Sequence, residues 1–257
     1  MGFAMPFVSV IIPAYNCERF IAEAVESVRR QDHRPIEIIV VDDGSTDGTS
    51  AHVKNLGKDI RYVHQSNRGP AAARNRGIEM AKGEVFTFLD ADDYWPENKL
   101  EIQLAHLRKY PRIEVVLGRI QFTGSLTEAD MKIRFEGPDN TMVNINLGSG
   151  IFKRAVFEKV GIFDESLRHF EDHDWFLRAR EKDVSMVILE NITLYYRRHE
   201  NSMSSRKSED DPTMIQILKK SLDRRRQDNK GLAELLPRFF DFDDRKGTQK
   251  HREGDSE

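Results

Sequence analysis

Phe7 to Ile12 (FVSVII) is a continuous apolar, largely β-branched run, the pattern of a strand buried on both faces. Phe20, Ile21, Ala24, Val25 and Val28 then recur at helical spacing, and Asn16 stands where it can cap that helix. Ile36 to Val41 (IEIIVV) predicts a second buried strand, closed by the turn-rich DDGSTDGTS, in which Ser45 and Thr46 can cap a following helix. Ile60 to His64 predicts a shorter third strand. Small residues from Pro70 to Lys82 predict a helix with Pro70 in its first turn. Val85 to Leu89 (VFTFL) reads as a fourth strand ending in DADD, and Pro96 opens a helix that reaches Tyr110.

Strand and helix alternating over short links predict a mainly parallel sheet covered on both faces. Ligands of such sheets bind beyond the carboxyl ends of the strands. Three polar clusters lie there, Pro13–Asn16, Asp42–Asp47 and Asp90–Asp93, each directly after a strand. The second half is less regular. Ile113 to Phe122 predicts a strand, and 123–147 is a weakly patterned polar stretch. Gly148–Arg154 leads into a short helix, Asp172 to Lys182 predicts a firmer one, and Val184 to Arg197 predicts one or two strands. From about Ser202 the composition turns to Lys, Arg and Asp, and 241–257 reads as disordered.

A length of 257 residues suits one α/β domain, here 1–205, followed by a charged helical tail, 206–257. The net charge of −3 gives no global case for nucleic-acid binding. Cys17 is the only cysteine, so no intrachain disulfide can form, and a reducing, cytoplasmic setting is expected. The uncharged start lacks the basic segment of a signal peptide and is interrupted by Pro6 and Pro13. No run of 18 apolar residues predicts a membrane span, which leaves peripheral contact open.

Candidate chemistry sits in the polar clusters. If the fourth strand persists through DADD, a period of two puts Asp90 and Asp92 on one face, where they can share Mg²⁺ or Mn²⁺ completed by phosphate oxygens and water. The other reading of DADD is a solvated turn that begins a helix. Asp42 and Asp43 lie in VDDGSTDGT, which equally suits a strand–turn–helix with good turn residues; neither GxGxxG nor GK[ST] is present. Glu171 and Asp172 start a helix with a Trp175, Phe176, Ala179 stripe, as caps or as a general base held by that packing. His199 is a structural residue or a ligand. Arg74 sits on the small-residue helix with Arg68 and Arg76 nearby as competing anion contacts.

VSVIIPAYN at 8–16, VVDDGSTDGT at 40–49, NRGPAAARNRGI at 67–78, FLDADDYW at 88–95 and FEDHDW at 170–175 occur in one order. Together with LGSGIFKRAVFEKVGIFDESL at 147–167, they resemble the family 2 glycosyltransferases, inverting enzymes with a GT-A fold. The resemblance covers residues 7 to 205. It implies a Rossmann-like, mostly parallel sheet flanked by helices, with a nucleotide-sugar-binding half, 1–110, and a smaller acceptor-binding half, 111–205. It implies that Pro13, Ala14 and Tyr15 pack on the nucleobase, that Asp43 accepts a hydrogen bond from a uracil imide, and that Arg74 reaches base or phosphate. Asp90 would lie near the ribose, Asp92 would ligate Mn²⁺ or Mg²⁺, and His199 would join the metal or phosphates. Asp172 would be the catalytic base, with Glu171 and Trp95 on the acceptor side or orienting it.

The implied activity is transfer of a sugar from a nucleotide donor, preferably a UDP-sugar, to a saccharide, lipid-linked or protein acceptor. The loop 200–205 is expected to close over the donor. The absence of carboxy-terminal membrane helices argues against a processive synthase. A sugar-1-phosphate nucleotidyltransferase would want a glycine-rich basic loop where PAYN stands. A non-catalytic nucleotide-sugar binder would have no need of Asp92, Asp172 and His199 together.

Overall fold

Val8, Val10, Ile11 and Ile12 are all fully buried because β1 (Val8–Ala14) runs through the middle of a sheet with helices on both faces. The computed structural model describes residues 5–124, 141–142, 145–167, 169–199 and 213–227. β1 pairs in parallel with β2 (Ile36–Asp42) on one side and β4 (Val85–Phe88) on the other, and β3 (Ile60–His64) pairs in parallel with β2. The order β3-β2-β1-β4 puts a topological switch point between β1 and β4, where an open α/β sheet forms its ligand crevice.

Beyond β4 the sheet is mixed. β7 (Ile151–Lys153) runs antiparallel to β4 and to β5 (Val115–Gly124), and β6 (Thr141–Met142) runs antiparallel to β5. β8 (Met186–Arg198) pairs in parallel with β5, with register shifts at Leu117/Arg119 and Arg119/Ile120. β7 is absent from the sequence reading, since three residues are too few to show a period.

Period-two alternation sends successive side chains of β1 into two cores. Val10 and Ile12 join α1 (Ile21–Arg29), α2 (Thr49–Leu56) and α4 (Lys99–Lys109) through Val25, Val53 and Leu104. Ile11 joins α3 (Pro70–Met80), α5 (Arg154–Val160) and α6 (Glu171–Glu181) through Ala73, Phe157 and Trp175. Burying each large apolar side chain is worth roughly 1.5–3 kcal/mol. The small residues of α3 permit close approach to the sheet: a Cβ on Gly77 would lie 2.3 Å from Ile11 Cγ2. In the second core, Trp175 stacks on Phe157 at 4.8 Å and donates Nε1–H to the Gly161 carbonyl at 2.9 Å, which fixes the start of α6.

Two expectations change. Asn16 is not a helix cap: its φ is 48°, and α1 begins at Ile21 after a turn in which the Cys17 carbonyl accepts from Phe20 and Ile21. Its Oδ1 accepts instead from Thr46 N at 2.8 Å, pinning the first loop to the second. The charged tail, where a solvated charged helix is the reading its Lys and Arg favour, contains α7 (Thr213–Gln227), whose inner face is docked. Ile217 is buried, Ser221 and Arg224 each donate to Glu181 at 2.6 Å, and Lys220 pairs with Asp164 at 2.7 Å. The expected disorder of 241–257 and the loop 200–205 lie outside the described residues, as does most of 123–147.

Candidate functional site

The loops after β1, β2 and β4 meet at the switch point. After β1, Ala14 is buried and Tyr15 is 53% exposed. After β2, the Asp43 N–H donates to the Ala14 carbonyl at 2.8 Å. The Asp43 side chain is buried and accepts three bonds: Gln65 Nε2 at 2.8 Å and Arg68 N at 2.9 Å on Oδ1, and Gly69 N at 2.7 Å on Oδ2. It therefore clamps the approach to α3, and Oδ2 keeps one acceptor position. Asp42 is spent internally, accepting from Ser45 N at 2.9 Å and the Tyr62 hydroxyl at 2.7 Å.

β4 stops at Phe88, so the strand does not carry Asp90 and Asp92 onto one face as expected. A turn closed by Asp93 N on the Asp90 carbonyl at 3.0 Å sends them to different partners. Arg74, buried on α3, donates to Asp90 Oδ1 at 2.6 Å through Nη2 and pairs through Nη1 with Glu171 at the start of α6. Asp92 Oδ2 lies 3.0 Å from His199 Nε2. β8 brings that histidine in: Tyr94 and Tyr195 exchange backbone hydrogen bonds at 3.2 and 2.9 Å, and Arg197 N donates to Asp93 Oδ1 at 2.8 Å. Phe20 packs on the His199 ring at 4.7 Å.

The electrostatics follow from three acids in four residues. Burial, then the Asp90 charge, raise the Asp92 pKa against the opposing bond from His199. Asp93 is raised further, by burial and by the charges of Asp92 and Asp90. A cation would relieve that repulsion. Asp92 Oδ2 and His199 Nε2 stand side by side at 3.0 Å, a carboxylate oxygen and an imidazole nitrogen that could hold a divalent cation. A mixed oxygen and imidazole pair suits Mn²⁺. Among the described residues no group of three or more His, Cys, Asp or Glu gathers to hold an ion.

Asp172 begins α6 beside Glu171. Burial raises its pKa, but the hydrogen bond and charge of His173, with the charge of Arg74, outweigh burial and hold it down at about 2. Glu171 is raised by burial despite Arg74. Trp95 is 1% exposed and donates Nε1–H to the Gly148 carbonyl at 3.1 Å, so its indole is packed in the core behind the turn Leu147–Ser149. Sequence reasoning missed His173, the Asp93–Arg197 stitch and Lys99, a fully buried lysine that donates to Gln103 Oε1 at 2.6 Å. The bare signal for His173 was its adjacency to the ED pair. Cys17 is inert: burial pushes its thiol up to about 12.

Comparison with known proteins adds to this geometry. Residues 9–175 match the family described as Glycosyl transferase family 2. An uncharacterized glycosyltransferase of Rickettsia typhi is 34% identical over 196 residues, 70% of this chain; the chain spans 60% of that relative. The Escherichia coli protein WfaP, a UDP-Glc:α-D-GlcNAc-diphosphoundecaprenol β-1,3-glucosyltransferase, is 30% identical over 214 residues, 79% of this chain and 82% of its own length. The solved structure of a Pyrobaculum calidifontis mannosyltransferase in complex with GDP-Man and Mn²⁺ superposes with a TM-score of 0.64, at 21% identity, over 86% of this chain and 65% of the other. The mixed sheet and its flanking helices are thus a Rossmann-like, GT-A arrangement.

Proposed function

Because the chain belongs to glycosyl transferase family 2, we propose that it transfers a sugar from a nucleotide donor, preferably a UDP-sugar, to an acceptor hydroxyl with inversion. The observation that carries this reading is the buried guanidinium of Arg74. It joins the acid turn at Asp90 to the helix that bears Glu171 and Asp172, so a donor held at one lies beside a base at the other. Tyr15, with Pro13 and Ala14, is the platform for the nucleobase, Asp43 Oδ2 the acceptor for its imide, and Asp90 the ribose contact. Arg74 is engaged by two carboxylates, so its contribution to the nucleotide is through Asp90.

Asp92 and His199 would hold Mn²⁺ or Mg²⁺. When bound, the ion supplies positive charge against the diphosphate that leaves. Asp172 takes the proton of the acceptor hydroxyl while that oxygen bonds to the anomeric carbon. The bond to the diphosphate oxygen breaks on the opposite face and its electron pair leaves with the nucleotide. A single displacement of this kind inverts the configuration, as in inverting glycoside hydrolysis with an acceptor replacing water. WfaP acts on a diphosphoundecaprenol-linked sugar, which favours a lipid-linked saccharide as the acceptor class.

A cytoplasmic protein meeting such an acceptor would touch the membrane peripherally. No described helix is long and apolar enough to span one. On α7, Ile215 is 72% and Leu218 50% exposed, on a side that also carries Lys219 and Arg226. Sedimentation with anionic phospholipid vesicles tests this contact.

The central test is donor hydrolysis and transfer across UDP- and GDP-sugars with manganese. Asp172→Asn should bind UDP–manganese almost normally yet lose turnover by about 10²–10⁴-fold. Glu171→Gln should be milder in turnover. Unchanged turnover in Asp172→Asn would remove the base assignment, and a parent protein that binds donor without turning it over would be a nucleotide-sugar binder instead.

A further inference from the structure

Asp172 has two oxygens, and the structure treats them differently. Oδ1 accepts twice from the next residue, from His173 N at 2.8 Å and from His173 Nδ1 at 2.8 Å. Among the described residues no hydrogen-bond donor reaches Oδ2. The imidazole itself is braced, with Phe170 edge-on to it at 5.4 Å. Phe170 holds a left-handed backbone, φ 61°, at the first turn of α6, a conformation that costs a bulky residue energy and is kept only where the surroundings impose it.

We infer that His173 is a positioning residue for the reaction: its ring occupies Oδ1 of Asp172 and so leaves Oδ2 as the oxygen that takes the acceptor proton. The inference rests on the proposed role of Asp172 as base. The bond requires the proton of the neutral ring to sit on Nδ1. It fixes the carboxylate's rotation, which matters because a base that must swing into place loses the benefit of being held at reacting distance. In the step itself the acceptor O–H proton passes to Oδ2, the acceptor oxygen bonds to the anomeric carbon, and the leaving diphosphate takes the electron pair; Oδ2 then gives its proton to water.

The same contact gives the reaction a pH dependence. Facing Asp172 are His173 and Glu171 on its own helix and Arg74 on α3, with Asp90 behind that arginine. Arg74 stays charged throughout, and Glu171 is tied to it. His173 is the titratable group hydrogen-bonded to the base itself. An imidazolium against Oδ1 lowers the basicity of the whole carboxylate, so turnover should fall once His173 takes up its second proton, at a pH above the carboxylate range.

Asparagine at 173 can set its side-chain N–H where Nδ1 stands, without a titratable group, whereas phenylalanine keeps the ring against Phe170 and donates nothing. Hydrolysis of UDP-glucose, UDP-N-acetylglucosamine and GDP-mannose with manganese, followed against pH, compares the parent with His173→Phe, His173→Asn and Asp172→Asn. His173→Phe should lose kcat on the order of tenfold at unchanged donor KM. His173→Asn should recover most of it and show no acidic limb above the carboxylate range. In an Asp172→Asn background, His173→Phe should change nothing further. Equal kcat and equal pH profile in the parent and His173→Phe, or no recovery in His173→Asn, would overturn the inference. Turnover that survives Asp172→Asn would instead strike the underlying base assignment. Nitrogen NMR of the imidazole reads the same contact without turnover: Nδ1 should carry the proton in the parent, and a ring protonated only on Nε2 would end the proposal.

Discussion

Arg74 Nη2 stands 2.6 Å from Asp90 Oδ1, and the same buried guanidinium is paired with Glu171, 97 residues away in the chain. Burial disfavours that charge, but Asp90, Glu171 and Asp172 outweigh the cost and keep it firmly protonated. Breaking a buried pair by removing one partner costs about 3–5 kcal/mol, because the other charges are left unmatched. Arg74→Ala should lower stability by that order, read from urea unfolding. Arg74→Lys should recover only part, since an ammonium cannot reproduce the planar fork that serves two carboxylates. Full stability in Arg74→Ala would mean the pairing contributes nothing net.

Asp92→Asn should abolish most of the manganese-dependent part of UDP affinity, and His199→Ala should reduce it less. An anionic oxygen contributes more to a hard cation than a neutral imidazole does. Calorimetry of UDP with and without manganese separates the two contributions. Unchanged metal dependence in Asp92→Asn would move the ion elsewhere.

Asp43→Ala should act on two measurements at once. Loss of the imide contact should weaken UDP by about 1–3 kcal/mol, and the freed N–H groups of Arg68 and Gly69 should lower folding stability by about 1–3 kcal/mol. If stability falls while UDP affinity holds, the carboxylate is only the clamp on the loop before α3.

Lys99 carries a pH prediction. Burial alone holds its pKa well below the ordinary 10.5, and it has no ion-pair partner among the described residues. The unfolded chain therefore binds that proton more readily, so its contribution to stability improves as pH rises toward the ordinary lysine value. Lys99→Met should flatten the rise between about pH 7 and pH 10 in urea midpoints. It should also cost little near neutrality, since a methionine fills similar volume without a buried charge. An unchanged slope would show that the ammonium is not the titrating group.

Much of this architecture was readable in advance where local pattern and burial agree. The runs at Val8–Ile12 and Ile36–Val41 are apolar because both faces are covered, and the polar clusters behind them mark the crevice. What the residues concealed is pairing across distance. Nothing local to Arg74 announces Glu171, although a guanidinium among alanines must find acids if it is buried at all. Asp90 and Asp92 diverge because β4 ends at Phe88, a boundary set by the turn rather than by side-chain pattern. β7 exists because β4 and β5 both need a partner, and its three residues carry no signal of their own.

The backbone exchange between Tyr94 and Tyr195 also divides the labour of the chain. The strands that carry the proposed nucleotide loops are complete by Phe88, well inside the first half of the chain. Asp92, by contrast, is partnered by a histidine 107 residues later. On the proposed assignment, a substitution that loosened the end of β8 would disturb the Asp92–His199 pair and leave the strands behind the nucleotide loops in place.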